Sequence, residues 1–227
     1  MDHTKGISGH DSKEIVRLTE FQLDALREVA TIGMGHATKS LSEMINRKID
    51  IEMSKIELIP VEQIASRLKQ KNTLVTGIYL RLRGDLRGTS LLFFSRESAL
   101  LLADILNNRK LGTTTVLRKI DRSALGELGS ILTASYFNAL TELLDLKVEI
   151  SVPSVVFDIA SAIIYFVLLS TREVVTYSLV SQTEFVSSGG SISGEFIFLL
   201  NDESIHNMLD AIYKKLESTG ARSYEHP

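Results

Sequence analysis

Apolar residues recur every three or four positions between Leu18 and Met44, as on one face of an α-helix. Thr19 is a suitable residue to begin such a helix, and Asn46 is a suitable residue to end it. Residues 49–59 then alternate apolar and polar side chains, which is typical of a half-buried strand. The pattern therefore predicts a long helix followed by a strand.

The rest of the chain predicts further elements of both kinds. Strands are predicted over 73–82 and 86–94, joined by a turn at 83–85, and residues 97–107 predict a helix. The elements predicted for the C-terminal half are a helix over 123–144, strands over 147–152, 155–169, 174–186 and 190–200, a loop at 187–190 and a helix over 203–217. The apolar run 157–169 is interpreted as a core strand rather than a ligand groove.

Two segments match without a gap when the chain is shifted by 99 residues: residues 24–54 align with residues 123–153. The identical pairs are Ala25/Ala124, Leu26/Leu125, Glu28/Glu127, Ile32/Ile131, Leu41/Leu140, Glu43/Glu142, Lys48/Lys147 and Ile51/Ile150. A second match, at a shift of 106 residues, aligns residues 86–106 with residues 192–212. The chain is therefore interpreted as an internal duplication.

The duplication sets the expected domain organisation. Two halves, about 14–112 and 113–220, are predicted to form a single α+β domain with pseudo-two-fold symmetry. Residues 1–13 are predicted to be a disordered polar tail, and residues 221–227 a second tail.

Composition and charge exclude several classes of function. The 227 residues carry 25 Lys and Arg against 28 Asp and Glu, a formal net charge of -3, which gives no strong attraction for nucleic acid or anionic lipid. Because the chain has no Cys, disulfides, thiolate metal sites and a Cys nucleophile are excluded. The longest apolar run, 162–169, is too short to span a bilayer, and the N-terminus lacks the apolar segment of a signal peptide. The expected location is the cytoplasm.

Histidine and glycine patterns give no further site. The five His residues show no spacing typical of metal ligands, so neither a metal nor a cofactor of the chain's own is expected. Gly33-Met34-Gly35 is interpreted as a place for close packing in the middle of a helix rather than a dinucleotide-binding loop. His36 is interpreted as a surface or packed residue of the same helix.

The duplication also repeats a polar stripe. Asp24, Glu28 and Thr31 lie within about 60° of one another on a helical wheel, opposite the apolar face; they are called the first stripe. The second stripe consists of Ser123, Glu127 and Ser130. Shared packing does not explain the repeated Glu, because a charged side chain is almost never buried unpaired. Two interpretations stay open: a solvated helix face that both copies inherited, or a functional surface.

These residues and their surroundings resemble the CheC family of chemotaxis proteins, with its CheX-like and FliY-like members, which dephosphorylate the response regulator CheY. The family motif is Asp or Ser, three residues, Glu, two residues, Asn, then 22 residues and Pro, usually twice per chain. The first copy here reads Asp24, Glu28, Thr31 and Ser54, and the second reads Ser123, Glu127, Ser130 and Pro153. The resemblance covers about residues 17–216 and implies long motif-bearing helices packed on an antiparallel sheet.

The resemblance also implies a mechanism. In the family, the regulator carries its phosphoryl group on an Asp and holds it with Mg²⁺ and a Lys. The Glu of the phosphatase pairs with that Lys, and its Asn orients a water in line with phosphorus. The catalytic residues implied here are Glu28, Thr31, Glu127 and Ser130. The implied partner contacts are Asp24, Ser123 and Pro153, and the implied partner is a CheY-type regulator that brings its own Mg²⁺.

At both positions where the family motif has Asn, this chain has a hydroxyl residue. Two hypotheses about its activity follow from that difference. Thr31 and Ser130 reach less far than an Asn, and misplacing a reacting group by about 1 Å can cost on the order of 100-fold in rate. Weak hydrolysis is therefore expected, strongest at the second stripe, which keeps Pro153. The alternative is a non-enzymatic adaptor that binds phosphorylated CheY or the family's partner CheD, similar to the middle domain of the flagellar switch protein FliM. A third option is an adaptor outside chemotaxis.

Overall fold

A computed structural model describes residues 19–46, 48–67, 73–170, 174–187 and 190–219. The predicted tails, 1–13 and 221–227, and the two outer ends of the predicted domain lie outside the described residues. In chain order the elements are α1 (Glu20–Ile45), β1 (Ile49–Pro60), α2 (Val61–Arg67), β2 (Leu74–Gly84), β3 (Gly88–Ser95), α3 (Arg96–Leu106), α4 (Lys119–Leu144), β4 (Val148–Ile150), β5 (Ser154–Ile159), α5 (Ala160–Ser170), β6 (Tyr177–Ser187), β7 (Gly190–Leu200) and α6 (Asp202–Thr219).

The strands form one antiparallel sheet in which the two halves alternate. Its order is β1-β6-β7-β3-β2-β4, and β5 also pairs with β2. Each half contributes one hairpin to the centre, β2–β3 or β6–β7. The first strand of each half borders the hairpin of the other half, β1 beside β6 and β4 with β5 beside β2. The order is therefore the same from either edge when each element is exchanged for its counterpart.

Helices cover both faces of the sheet. The long helices α1 and α4 pack against each other and, with α3 and α6, enclose the larger core, which includes Leu26, Leu132 and Phe198. The shorter helices α2 and α5 cover the opposite face over a smaller core that includes Ile64 and Ile163. The predicted α+β class, with long helices packed on an antiparallel sheet, is confirmed.

The two long helices approach backbone to backbone at Gly33. A Cβ added there would lie 2.8 Å from the Cα of Tyr136 and 3.0 Å from the carbonyl oxygen of Ser135, so no other residue fits without movement. The ring of Tyr136 stacks on Phe198 with ring centroids 4.6 Å apart. Gly35, two residues further on, faces open space. Close packing in the middle of α1 is therefore confirmed at the first of these glycines and absent at the second.

The ends of α1 follow the sequence pattern. The Thr19 hydroxyl accepts a hydrogen bond from the backbone N–H of Gln22, whose side chain in turn accepts one from the backbone N–H of Thr19. This reciprocal pair is a capping box, which satisfies two of the donors exposed at a helix start. Asn46 ends the helix in the left-handed conformation with φ 50°.

A buried carboxylate fixes the start of α4. Asp121 accepts a hydrogen bond from the backbone N–H of Arg118 at 2.8 Å and forms an ion pair with Arg109 at 2.6 Å. The Asn107 amide donates a further hydrogen bond to it. Because of this anchor, α4 begins at Lys119, one turn before the predicted start.

A second buried carboxylate holds the connector between the halves. Asp104, at the end of α3, accepts hydrogen bonds from the backbone N–H and the hydroxyl of both Thr113 and Thr114. Burial alone raises the pKa of Asp104, but the hydrogen bonds from Thr114 and Thr113 outweigh it and leave that pKa below its usual value. The connector is thereby tied to α3 by a carboxylate that stays charged.

The segment predicted as a strand over 155–169 is a short strand followed by a helix. β5 ends at Ile159, and residues 160–170 form α5, so the interpretation of 157–169 as a core strand is wrong. The buried residues of α5 are Ala160, Ile163, Ile164 and Val167. They follow helical spacing, whereas the intervening Tyr165, Phe166 and Leu169 are exposed.

The remaining differences are small. The short helix α2 is not predicted by the sequence, and the strand predicted over 147–152 is observed only over Val148–Ile150. At the predicted loop 187–190, β6 extends to Ser187 and β7 begins at Gly190. Within the described ranges, no helix is long and apolar enough to cross a membrane.

Candidate functional site

Both stripes lie on the outer faces of the long helices. The exposed members are Asp24, Glu28 and Thr31 on α1 and Ser123 and Glu127 on α4, while Ser130 is half-buried. The inner face of α1 is buried through Leu26, Gly33 and other residues of the apolar pattern. The exposure predicted from the helical wheel is therefore confirmed for five of the six side chains, while Ser130 is only partly exposed. The functional roles of all six stay predictions.

The two stripe carboxylates have no partner within the described part of the chain. Neither Glu28 nor Glu127 makes a hydrogen bond or an ion pair there. Each carboxylate is exposed, so it can meet a cationic group of another molecule without first breaking an ion pair of its own.

The neighbouring residues differ between the stripes. The Asp24 carboxylate forms an ion pair with the Arg27 guanidinium at 2.7 Å, with the two side chains 67% and 46% exposed. At this exposure the pair adds little to stability, but it occupies the carboxylate. At the shift of 99 residues, Gly126 stands where the first half has Arg27. Ser123 therefore has no such neighbour.

The two hydroxyls are also used differently. The Thr31 hydroxyl donates a hydrogen bond to the carbonyl oxygen of Arg27, one turn earlier, at 2.9 Å. The Ser130 hydroxyl makes no hydrogen bond with any described residue. Thr31 therefore keeps only its acceptor capacity for a water, whereas Ser130 keeps both donor and acceptor.

Pro153 lies on the backbone of α4 beside the second stripe. A Cβ added at Gly126 would lie 3.2 Å from the Cγ of Pro153. Proline has no N–H to donate to a sheet, and the strand is interrupted here, resuming as β5 at Ser154. The backbone N–H of Ser151 donates to the carbonyl oxygen of Arg81, and the hydroxyl of Ser151 accepts from the Arg81 N–H at 2.9 Å. The loop that carries Pro153 is thus fixed to β2.

The matching position of the first half lies inside a strand. Ser54 pairs through the backbone with Gln182 in β6, just before a register shift at Glu57. Both copies therefore interrupt regular pairing near this position, but only the second half uses a proline to do so.

The close contact of Gly126 with Pro153 was not predicted from the sequence. The signal was present in the duplication, since a small residue aligns with Arg27 directly before the repeated Glu. Its meaning lies in the close contact with Pro153, whose Cγ would be 3.2 Å from a Cβ at position 126. Within the described ranges, no group of three His, Asp or Glu side chains is placed to hold a metal ion, and His36 is exposed.

Comparison with known sequences identifies relatives of both halves. A family model for the CheC-like family matches residues 21–52 and 120–157, and these two segments begin 99 residues apart, as in the duplication. A protein of Bacillus subtilis (strain 168) named CheY-P phosphatase CheC is 32% identical over 170 residues. The aligned region covers 73% of this chain and 80% of that protein.

Comparison with solved structures supports the same fold. The crystal structure of FliY from Thermotoga maritima has a TM-score of 0.73 at 21% identity and covers 88% of this chain and 100% of that one. A chain of the CheX-CheY-BeF3-Mg²⁺ complex from Borrelia burgdorferi has a TM-score of 0.50 at 17% identity, covering 77% of this chain and 97% of that one. With both stripes inside the matched segments, this chain belongs to the CheC-like family.

Proposed function

We propose that this protein docks a phosphorylated CheY-type response regulator and slowly hydrolyses its aspartyl phosphate. The observation that carries the proposal is an exposed Glu on each long helix that is unpaired among the described residues, with a hydroxyl residue one turn further along the same face. The relative of 32% identity, named a CheY-P phosphatase, supports it, as does the fold shared with a chain from a complex that contains CheY.

The Glu residues supply the docking contact. Glu28 or Glu127 would pair with the regulator Lys that also holds the phosphoryl group. Because neither carboxylate has an ion pair to break within the described part of the chain, the favourable charge interaction has no competing contact. Such complementarity fixes the register of a complex and speeds its formation.

The hydroxyl residues supply the catalytic contact. A water held by the Ser130 hydroxyl would attack phosphorus in line, forming a new P–O bond as the bond to the Asp carboxylate oxygen breaks. The products are inorganic phosphate and the free Asp carboxylate. Since this reaction depends mostly on positioning and charge stabilisation, a hydroxyl in place of an amide supports it weakly.

We assign the second stripe as the more effective site. The Ser130 hydroxyl has no acceptor among the described residues, whereas the Thr31 proton is bound to its own helix. Pro153 and the buried Asp121 fix the surroundings of α4, and a prearranged site loses less free energy on binding. The first stripe has only the helix cap at Thr19 to fix its N-terminal end within the described residues.

The accompanying assignments follow from the same proposal. Mg²⁺ is placed on the regulator, where the phosphoryl group is bound, and this chain needs no cofactor of its own. The two halves, 14–112 and 113–220, act as one domain, since each lends a strand to the hairpin of the other. The proposed place of action is the cytoplasm, together with the regulator.

The decisive experiment measures the decay of phosphorylated CheY-type regulator from the same cell at saturating Mg²⁺, with and without stoichiometric protein. The expected result is faster decay, lost when Glu28→Ala and Glu127→Ala are combined. A matched charge control is Glu142→Ala, on α4 beyond the second stripe, which should leave the acceleration intact. Decay at the unassisted rate with unmodified protein, despite binding, would contradict hydrolysis.

Binding without hydrolysis is the second candidate function, that of a non-enzymatic adaptor for phosphorylated CheY or for CheD. Two observations favour it: the commitment of the Thr31 hydroxyl to Arg27, and the apolar outer face of α5. On that face Tyr165, Phe166 and Leu169 are 62%, 58% and 84% exposed, and clustered exposed apolar residues mark protein contacts. Binding of CheD, measured by titration calorimetry and lost on Phe166→Ser, would support the adaptor.

A further inference from the structure

A small pocket opens beside the second stripe, at the start of α4. It has a volume of about 240 Å³, below the roughly 300–1,000 Å³ of sites for small molecules and cofactors. Arg122, which lines it, directly precedes Ser123 of the stripe. The pocket therefore adjoins the surface on which the regulator is proposed to dock, and its size suits one protruding side chain.

The walls of the pocket are apolar and open to solvent. Leu74, Val116 and Phe157 line it and are 65%, 68% and 40% exposed. They come from three separate parts of the fold: the start of β2, the connector before α4, and β5. Large apolar side chains brought together at a surface mark a contact with another protein.

The rim of the pocket is positively charged. The Arg122 guanidinium lies 4.8 Å from the centre of the Phe157 ring, and Arg96 donates a hydrogen bond to the carbonyl oxygen of Thr115 at 3.0 Å. Neither guanidinium has a carboxylate partner among the described residues. None of the described residues that line the pocket is acidic, so its complement is an apolar side chain with a carboxylate beside it.

The pocket combines residues of both halves, and the surface beside the first stripe has no equivalent of its positive rim. At the shift of 99 residues, Leu23 stands where the second half has Arg122. At the shift of 106 residues, an acidic residue, Asp202, stands in place of Arg96. Both arginines of the rim are thus absent from the matching positions beside the first stripe.

We propose that this pocket is a specificity subsite of the second stripe, which receives an apolar side chain and an adjacent carboxylate of the regulator and so directs docking to α4 rather than α1. The inference rests on the proposed function, because the stripe brings the regulator to the pocket. A buried apolar anchor supplies most of such a contact, and the two guanidiniums supply its orientation and partner choice.

The test uses full-length protein with Glu28→Ala, so that only the second stripe binds. The probe is the CheY-type regulator of the same cell, held in its phosphorylated-like form by BeF3 and Mg²⁺, and the measurement is Kd at about 50 and 200 mM salt. Arg122→Gln should weaken binding by about 3–10-fold at low salt and by less at high salt. Val116→Asp, which brings a carboxylate to an exposed pocket wall, should weaken it by more than 10-fold.

Arg83→Gln is the matched charge control. Arg83 is exposed and lies nine residues along β2 from Leu74, about 30 Å away, so its loss should leave Kd unchanged. If Arg122→Gln and Val116→Asp bind as tightly as this control while Glu127→Ala abolishes binding, the subsite is overturned and the proposed docking stands. If Glu127→Ala leaves Kd unchanged, the proposed docking itself is overturned. The subsite inference then falls with it, whatever the pocket variants do.

Discussion

The ring of Pro153 packs closely on Gly126 of α4: a Cβ added at position 126 would lie 3.2 Å from the Cγ of Pro153, so a side chain there requires the ring to move. This contact links the loop between β4 and β5 to the turn of α4 that carries Glu127. The two residues belong to different parts of the motif, 27 positions apart in the chain. Their contact shows how a proline distant in the chain supports α4 from outside.

We therefore expect Gly126→Leu to displace the loop and weaken docking at the second stripe. A leucine side chain cannot share this space with the proline ring, and displaced support moves the neighbouring carboxylate. In the Glu28→Ala background, Kd for the regulator should rise by about 10-fold or more, measured by fluorescence titration. Arg27→Leu, which places the same side chain at the matching exposed position of α1, is the control. Equal affinities for both variants would show that Pro153 has no supporting role.

Restoring the family's amide should raise hydrolysis. Ser130→Asn extends the water-holding group of the second stripe. We expect turnover to increase by up to about 100-fold, because misplacing a reacting group by about 1 Å can cost on the order of 100-fold in rate. Thr31→Asn should raise it less, because the first stripe lacks Pro153 and its Asp24 is paired with Arg27. Initial rates of phosphate release at saturating regulator report the difference. A double variant no faster than the parent would mean that more than the amide has been lost.

Two glycines on one helix should respond to alanine in opposite directions. Gly33→Ala places a Cβ 2.8 Å from the backbone of α4, so we expect a net loss of about 1–3 kcal/mol in unfolding free energy. Gly35→Ala meets nothing within 4 Å and should gain about 0.5–1 kcal/mol from helix propensity. Urea denaturation followed by circular dichroism measures both. Two variants of equal stability would contradict the close approach of α1 and α4.

The connector should confer a pH dependence on stability. The pKa of Asp104 in the folded protein lies below its usual value of 3.8, so its stabilising contribution is complete above about pH 5 and is lost as pH falls through the folded pKa. Asp104→Asn should cost about 1–3 kcal/mol at pH 7 and progressively less towards pH 3. Asp145→Asn is the control, since Asp145 is an exposed helix end in the left-handed conformation, which Asn also adopts. Parallel pH profiles for parent and Asp104→Asn would contradict this account.

Much of the fold could be predicted because its helices and strands carry clear periodicity. The alternation of residues 49–59 predicted β1, and Asn46 marked the end of α1. The failure over residues 157–169 has a physical reason: when nearly every residue is apolar, helical spacing and strand alternation fit equally well. Only the packing of Ile163 and Val167 into the smaller core selects the helix.

The candidate site was predictable in position but not in detail. A helical wheel is enough to place Glu28 and Glu127 on outer faces, because both helices have a continuous apolar side. That the Thr31 hydroxyl is bound to its own backbone, or that Arg122 and Phe157 meet, depends on rotamers and on contacts between distant segments. Sequence periodicity carries no information on either.

The interleaved sheet has a consequence for synthesis on the ribosome. β1, complete at Pro60, pairs with β6, which begins at Tyr177, so well over a hundred residues must be added before its partner strand exists. At about 5–20 residues per second, the nascent chain carries this half-apolar strand unpaired for roughly 6–25 s. The first half therefore cannot complete its part of the sheet as it emerges, and protection of β1 during translation becomes part of what the cell must provide for this protein.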